Sequence, residues 1–271
     1  MATLLGDGIF AVDGPQWHVQ RKAAAKIFHV NFFRDHMVFI FHAHLRTVSD
    51  ILLKGPVDFH ELMHRFTLDS FTEMGFGESI HSLTNKDHSF REAFDSLQTR
   101  TNLKFIYPPP LLWLKDLFSG DLGKDALYGR TLNAFAYNII EKRLQKPSDG
   151  NDLLCHFMRM KKEDGTQYDT QDLRHIVMNF IIAGRDTTAQ ALSWTVYELQ
   201  KRPDIVKKMR EEFKATCLDP LAPSYDELKS MSYTTSVFLE CLRLHPSVPK
   251  NMKYAVSDDI LPDGTKIKKG W

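Results

Sequence analysis

The sequence predicts a mainly α-helical fold with a little β-sheet near its C-terminal end. Three observations carry that prediction. Apolar residues recur at steps of three and four over most of the 271 residues. Several of these stretches end at recognisable stops, such as Gly75 and Gly77 or Pro203. Only the last thirty residues change character and alternate.

Taken in order, residues 15–30 and 34–53 read as two helices, and 59–77 as a third. Further helices are expected over 88–104, 124–146 and 151–163. Between the first two of these, "YPPPLLWL" (107–114) is expected to be irregular, because three successive prolines cannot continue a helix. Residues 169–201 form the longest helical pattern, ending before Pro203, whose ring disfavours helix in the residue preceding it. Shorter helices follow over 203–217 and 232–245. In "KYAVSDDILPDGTKIKKG", Pro262-Asp263-Gly264 forms a turn between two short strands. No internal repeat or low-complexity tract interrupts this series.

Composition narrows the function classes. A net charge of +1 argues against a nucleic-acid partner. Basic runs such as "KKMREEFK" (207–214) carry acids among the bases and read as solvated helix faces. Cys155, Cys217 and Cys241 are scattered, with no C-x-x-C, so neither a disulfide framework nor a thiolate zinc site is suggested. No apolar run approaches the ~18 residues of a membrane span, and no signal peptide is visible. Both ends look cut, so an anchor upstream of Met1 stays open.

Two short motifs compete. "DFHELMHRF" (58–66) contains H-E-x-x-H, which puts His60 and His64 on one helix face with Glu61 available as a base, as in zinc proteases. The longer form of that motif fails, because Thr67 and Ser70 stand where a glycine and a third histidine are needed. Phe59, Leu62, Met63, Phe66, Ser70 and Met74 describe a packed face instead, with the histidines flanking it. That packed reading is preferred, and a zinc metalloprotease is the lesser alternative.

The second motif is "AGRDTT" (183–188), in the middle of the longest helix. Gly184 to Thr188 are mostly weak helix formers placed where the helix should be strongest. A mid-helix threonine, here Thr187, can bond back to the carbonyl of Ala183 and bend or open the turn. A local rule broken inside a buried element marks a place to expect function. The alternative is a kink filled by a neighbouring side chain.

"AGRDTT" resembles the oxygen-binding motif A/G-G-x-D/E-T-T/S in the central helix of the cytochrome P-450 superfamily. "ECLR" (240–243), followed by "HPSVP", matches that family's E-x-x-R, and "WHVQR" (17–21) its W-x-x-x-R, in the same order. "GDGIFAVDGPQWHVQRK" and "NFIIAGRDTTAQALSW" look like the branch that hydroxylates fatty acids near the ω end. The resemblance covers essentially all of 1–271, as the middle part of a family domain.

The resemblance implies roles. Haem is the cofactor, O2 a co-substrate, a lipophilic small molecule the substrate, and NADPH-derived electrons arrive through a reductase. Ala183 and Gly184 are implied to make room for dioxygen and substrate beside the haem. Thr187 is implied to hydrogen-bond the activated dioxygen, Asp186 to relay protons from solvent, and Thr188 to face elsewhere. Trp17 and Arg21, one helical turn apart, are implied to hold a haem propionate, and Lys253 to supply a second cation. Glu240 and Arg243 are implied to form a structural ion pair. The apolar stretch 103–114 is expected to line the substrate entrance, unless it packs on the core.

One departure is large. The family's axial cysteine lies far beyond E-x-x-R, and no cysteine follows Arg243 here. Without a thiolate on iron, O–O cleavage of this type is not expected. The chain is therefore expected to be part of a monooxygenase and inactive by itself, with a non-catalytic helical fragment as the alternative. Association with the endoplasmic reticulum membrane is implied only for a full-length parent.

Overall fold

The computed structural model describes residues 2–25, 37–85, 89–145, 152–162, 165–250 and 253–271. Helices dominate them: α1 (Ala2–Leu5), α2 (Gly14–Ala25), α3 (Val38–Leu53), α4 (Phe59–Phe76), α5 (Ser89–Ile106), α6 (Pro109–Ser119), α7 (Lys124–Gln145), α8 (Leu153–Arg159), α9 (Thr170–Gln200), α10 (Pro203–Thr216), α11 (Tyr225–Ser230) and α12 (Ser232–Leu244). β1 (Asp259–Ile260) and β2 (Lys266–Ile267) form one antiparallel pair, with Asp259 opposite Ile267. Gly264, at φ +87°, makes the turn between them as the Pro-Asp-Gly spelling requires.

The 31-residue α9 organises the rest. A capping box starts it: the Asp169 carboxylate accepts from the Asp172 amide at 2.8 Å, and Asp172 accepts from the Asp169 amide at 2.9 Å. Its N-terminal half is buried on nearly all sides. Leu173, Val177 and Ile181 pack with Phe94 and Leu97 of α5 and Leu132 and Ile140 of α7. A smaller core joins Val48 of α3 and Leu62, Met63 and Phe66 of α4 to Ala189 of α9. α4 is the main partner of α9; Asp58 caps its start by accepting from the Glu61 amide, and Gly77, at φ +69°, ends it.

α9 also ties down the N-terminal segment. Arg174 donates to the carbonyls of Thr3 and Leu4, and Asn179 donates to the Leu5 carbonyl and accepts from the Phe10 amide. His175 Nδ1 accepts from the Asp7 amide at 3.2 Å. Residues 3–10, ahead of α2, are thereby fastened to the N-terminal half of the long helix.

Two sequence expectations are corrected here. Residues 107–114 are not irregular: α6 begins at Pro109, with Pro108 as N-cap and prolines in its first turn. A first-turn proline loses no intrahelical bond, because the first amides of a helix have no partner anyway. α8 is shorter than 151–163 and stops at Arg159. The expected positions 26–30 and 34–36, and the ends 88, 146, 151 and 163 of three others, lie outside the described residues. No helix among the described residues is long and apolar enough to cross a membrane.

Candidate cofactor site

α2, α4 and α9 enclose a cavity of about 680 Å3, within the 300–1,000 Å3 range of small-molecule and cofactor sites. Trp17 and Arg21 of α2 form one wall, and Ala183, Gly184 and Thr188 of α9 another. Thr67, Ser70, Phe71 and Met74 supply the α4 wall. These four fall at i, i+3, i+4 and i+7, one face of a helix. Ile9, Phe10 and Phe180 make the lining largely apolar. Trp17 and Arg21 are both exposed, and theirs is the one cation among the lining residues.

The middle of α9 carries an unusual set of hydroxyl contacts. Thr187 Oγ1 donates to the Ala183 carbonyl at 2.7 Å, as its position in the helix suggests. Ser247 Oγ donates to the Thr187 carbonyl at 2.8 Å, and Thr67 Oγ1 lies 2.9 Å from the Arg185 carbonyl. Three alternate carbonyls of one weak turn thus face hydroxyl donors. The helix nonetheless continues unbroken to Gln200.

Gly184 does not leave bare space, which corrects one expectation. The Phe71 ring lies against it, and a Cβ at position 184 would sit 2.0 Å from Phe71 Cδ2. The missing side chain accommodates a neighbour's ring, and the open volume lies beside Phe71. A second correction concerns the threonines. Thr188, expected to face elsewhere, lines the cavity, while Thr187 is half-buried and is absent from its lining.

Asp186 faces the opposite side of α9. It is buried, accepts from Gln98 Nε2 at 2.8 Å and Arg185 Nη1 at 3.0 Å, and has His64 Nδ1 at 3.4 Å. Fully buried Arg185 also pairs with Asp95 at 2.6 Å. These groups line a second, polar pocket of about 630 Å3 with His60 and Glu61. α9 therefore separates an apolar inner cavity from a polar outer pocket.

Other expected site residues lie apart. Lys253 is exposed and absent from the cavity lining, so it is not brought to Arg21. Glu240 and Arg243 form a bidentate pair with both distances 2.7 Å, and both are exposed. Among the described side chains of 103–114 none lines the cavity, which corrects the entrance expectation; Leu111, Trp113 and Leu114 are exposed. Cys155, Cys217 and Cys241 are buried and absent from the lining, so none of them offers a thiolate there.

The protease arrangement is not assembled. Glu61 is clamped by Arg65 at 2.7 Å and by Arg91. Burial pushes its carboxyl up, but those guanidinium hydrogen bonds outweigh it and leave the pKa below its ordinary value. A base held in two ion pairs is a poor acceptor for a water proton. Among the described residues no group of three His, Cys, Asp or Glu could hold a metal ion.

Sequence reasoning missed the α4 wall of the cavity. Thr67, Ser70, Phe71 and Met74 gave a signal, their shared helix face, but Ser70 and Met74 were read as packing.

A long helix walling a cofactor-sized apolar cavity, with Arg21 and Trp17 across it, defines an α-helical protein built to hold a small molecule or cofactor. Comparison with known proteins gives the family. Residues 2–271 match the family model described as cytochrome P450, and the chain belongs to that family. It is 34% identical to "Cytochrome P450 monooxygenase cyp1" of Mycosarcoma maydis, which covers 100% of the chain and 46% of that protein. It is 32% identical to "Cytochrome P450 704B1" of Arabidopsis thaliana, covering 100% of the chain and 61% of that protein. The chain thus spans about half of the curated relatives it matches. The fold is similar to the cytochrome P450DA heme domain, with TM-score 0.84 and 23% identity, over 99% of the chain and 59% of that domain.

Proposed function

We propose that this chain forms the oxygen-side wall of a haem-dependent monooxygenase that inserts one atom of O2 into an unactivated C–H bond. The observation that carries the reading is the single cavity shared by Trp17, Arg21, Ala183 and Gly184. The residues present fit a haem on this side: an exposed guanidinium for a propionate, an indole donor, and apolar walls for the macrocycle. When bound, haem supplies the oxygen chemistry, while the protein orients, protonates and excludes water.

The chain's own residues divide that work. Arg21 and Trp17 anchor the carboxylate edge. Phe71, Phe180 and Phe10 exclude water and give a lipophilic substrate its contact surface. Asp186 exchanges protons with solvent through the outer pocket, and Thr187, the next residue, holds a hydroxyl proton at Oγ1 beside the Ala183 carbonyl. Thr188 takes a substrate-contact role that its sequence position did not suggest.

The substrate on this reading is a long apolar acid, hydroxylated near its ω end. The apolar lining and the fatty-acid-hydroxylase wording of residues 6–22 and 179–194 support it. NADPH-derived electrons arrive through a reductase at the endoplasmic reticulum membrane. The test has two parts. Haemin titrated into the chain should quench Trp17 fluorescence, and Arg21→Ala should weaken binding about tenfold. The native protein expressed with a reductase should yield ω-hydroxylated fatty acids by mass spectrometry. Haemin binding indifferent to Arg21 removes the cofactor assignment, and products lacking hydroxyl near the ω end remove the substrate assignment.

A further inference from the structure

We infer that His60 and His64 form a bidentate site for a divalent transition-metal ion in the outer pocket, independent of the haem reading. The two Nε2 atoms lie 3.2 Å apart, hydrogen-bonded to one another, a contact that an ion would replace. Two nitrogens bound to one tetrahedral zinc, each at about 2.0–2.1 Å, are separated by about 3.3 Å. The side chains therefore already hold the spacing of a chelate, with one turn of α4 fixing both backbones.

The second observation lies behind His64. Its Nδ1 is buried with no hydrogen-bond partner, and Asp186 Oδ1 stands 3.4 Å away. Metal-bound imidazoles place their other ring nitrogen against a carboxylate, which fixes the tautomer and raises ligand basicity. A metal on Nε2 leaves the proton on Nδ1, where it donates toward Asp186. A small turn of the ring as the ion binds aims that proton at Asp186 Oδ1 and gives the orphaned nitrogen its partner.

Access and charge agree. His60 is exposed, and both histidines open on the 630 Å3 pocket. Five carboxylates and two arginines line that pocket, a net negative surround for a cation. With no third His, Cys, Asp or Glu completing the set among the described residues, water fills the remaining positions. Paired imidazoles favour Zn2+, Ni2+ or Cu2+ over Mg2+.

Calorimetric titration of the purified chain with Zn2+ alone tests the site. One equivalent should bind. His60→Gln, at an exposed position that leaves the fold intact, and His64→Gln should each weaken binding at least tenfold. Asp186→Asn should weaken it by about tenfold through the outer shell, and Glu61→Gln should leave it unchanged. Circular dichroism of each variant confirms folding. Absence of binding to the folded chain, unchanged affinity in His60→Gln, or equal binding of Mg2+ overturns the site. Loss of affinity in Glu61→Gln overturns the two-histidine ligand set.

Discussion

The Thr67 hydroxyl lies 2.9 Å from the carbonyl oxygen of Arg185, joining α4 to the middle of α9 across 118 residues of sequence. The same oxygen is 3.3 Å from the His64 carbonyl and 2.9 Å from that of Met63, so one hydroxyl proton is shared among three acceptors, with the short contacts to Arg185 and Met63. Both contacts are buried. Thr67→Val keeps the shape and removes the donor, and should cost about 1 kcal/mol. Thr67→Ser should recover most of it. Urea midpoints of the three proteins check the point, and a valine variant as stable as the parent would show that the contact holds nothing together.

Phe71 and Gly184 make a second joint between the same helices. A methyl group at position 184 forces the ring to move, since Cδ2, Cε2 and Cγ all lie within 2.5 Å of the added carbon. Gly184→Ala should therefore destabilise by about 1–3 kcal/mol, the range for overpacking, despite alanine's better helix propensity. In a Phe71→Ala background the same change should be neutral or stabilising. The coupling energy from that double-mutant cycle is the measurement, and additivity of the two changes would contradict the packing.

These joints explain what the sequence revealed and what it concealed. The extent of α9 was legible from its periodicity and from Pro203 at the far end, while the reciprocal Asp169–Asp172 cap emerged only in the structure. Trp17, Arg21, Ala183 and Gly184 were legible as a set, and they share one cavity. The occupant of the Gly184 notch was not named. Phe71 lies in another helix, and helical periodicity says which face is apolar without saying which ring meets which glycine. The direction of Thr188 was misplaced for a related reason: helical neighbours differ by about 100° around the axis, and only packing decides which looks inward. α6 was missed because three prolines were treated as interior residues, while the chain uses them as cap and first turn.

Acid should loosen the N-terminal segment. His175 accepts from the Asp7 amide through Nδ1, which requires a neutral ring at that nitrogen. Burial first, and the adjacent Arg174 charge second, hold its pKa below 6.5. The unfolded chain therefore takes up the proton before the folded one does. Stability from this residue is full above about pH 6.5 and is lost as pH falls through the lower folded value. His60, lowered chiefly by burial, adds to the same slope. Melting midpoints measured from pH 7.5 downward should fall below about pH 6.5, and His175→Gln should flatten part of that fall. A His175→Gln profile parallel to the parent would sink the assignment.

Asp186 accepts from one neutral and one charged donor, and that arrangement predicts an asymmetry between two conservative changes. Its carboxylate receives Gln98 and Arg185, and among the described residues the other carboxylate paired with buried Arg185 is Asp95. Asp186→Asn removes a charge facing a buried guanidinium and should cost about 1.5–3 kcal/mol, the range for hydrogen bonds to charged groups. Gln98→Leu removes a neutral donor from a half-exposed side chain and leaves the Asp186–Arg185 pair intact, so its cost should be smaller, about 0.5–1.5 kcal/mol. The order of the two denaturation midpoints is the readout. Equal losses would mean that the amide and the guanidinium matter alike to Asp186, and that the buried charge of Arg185 is balanced chiefly by Asp95.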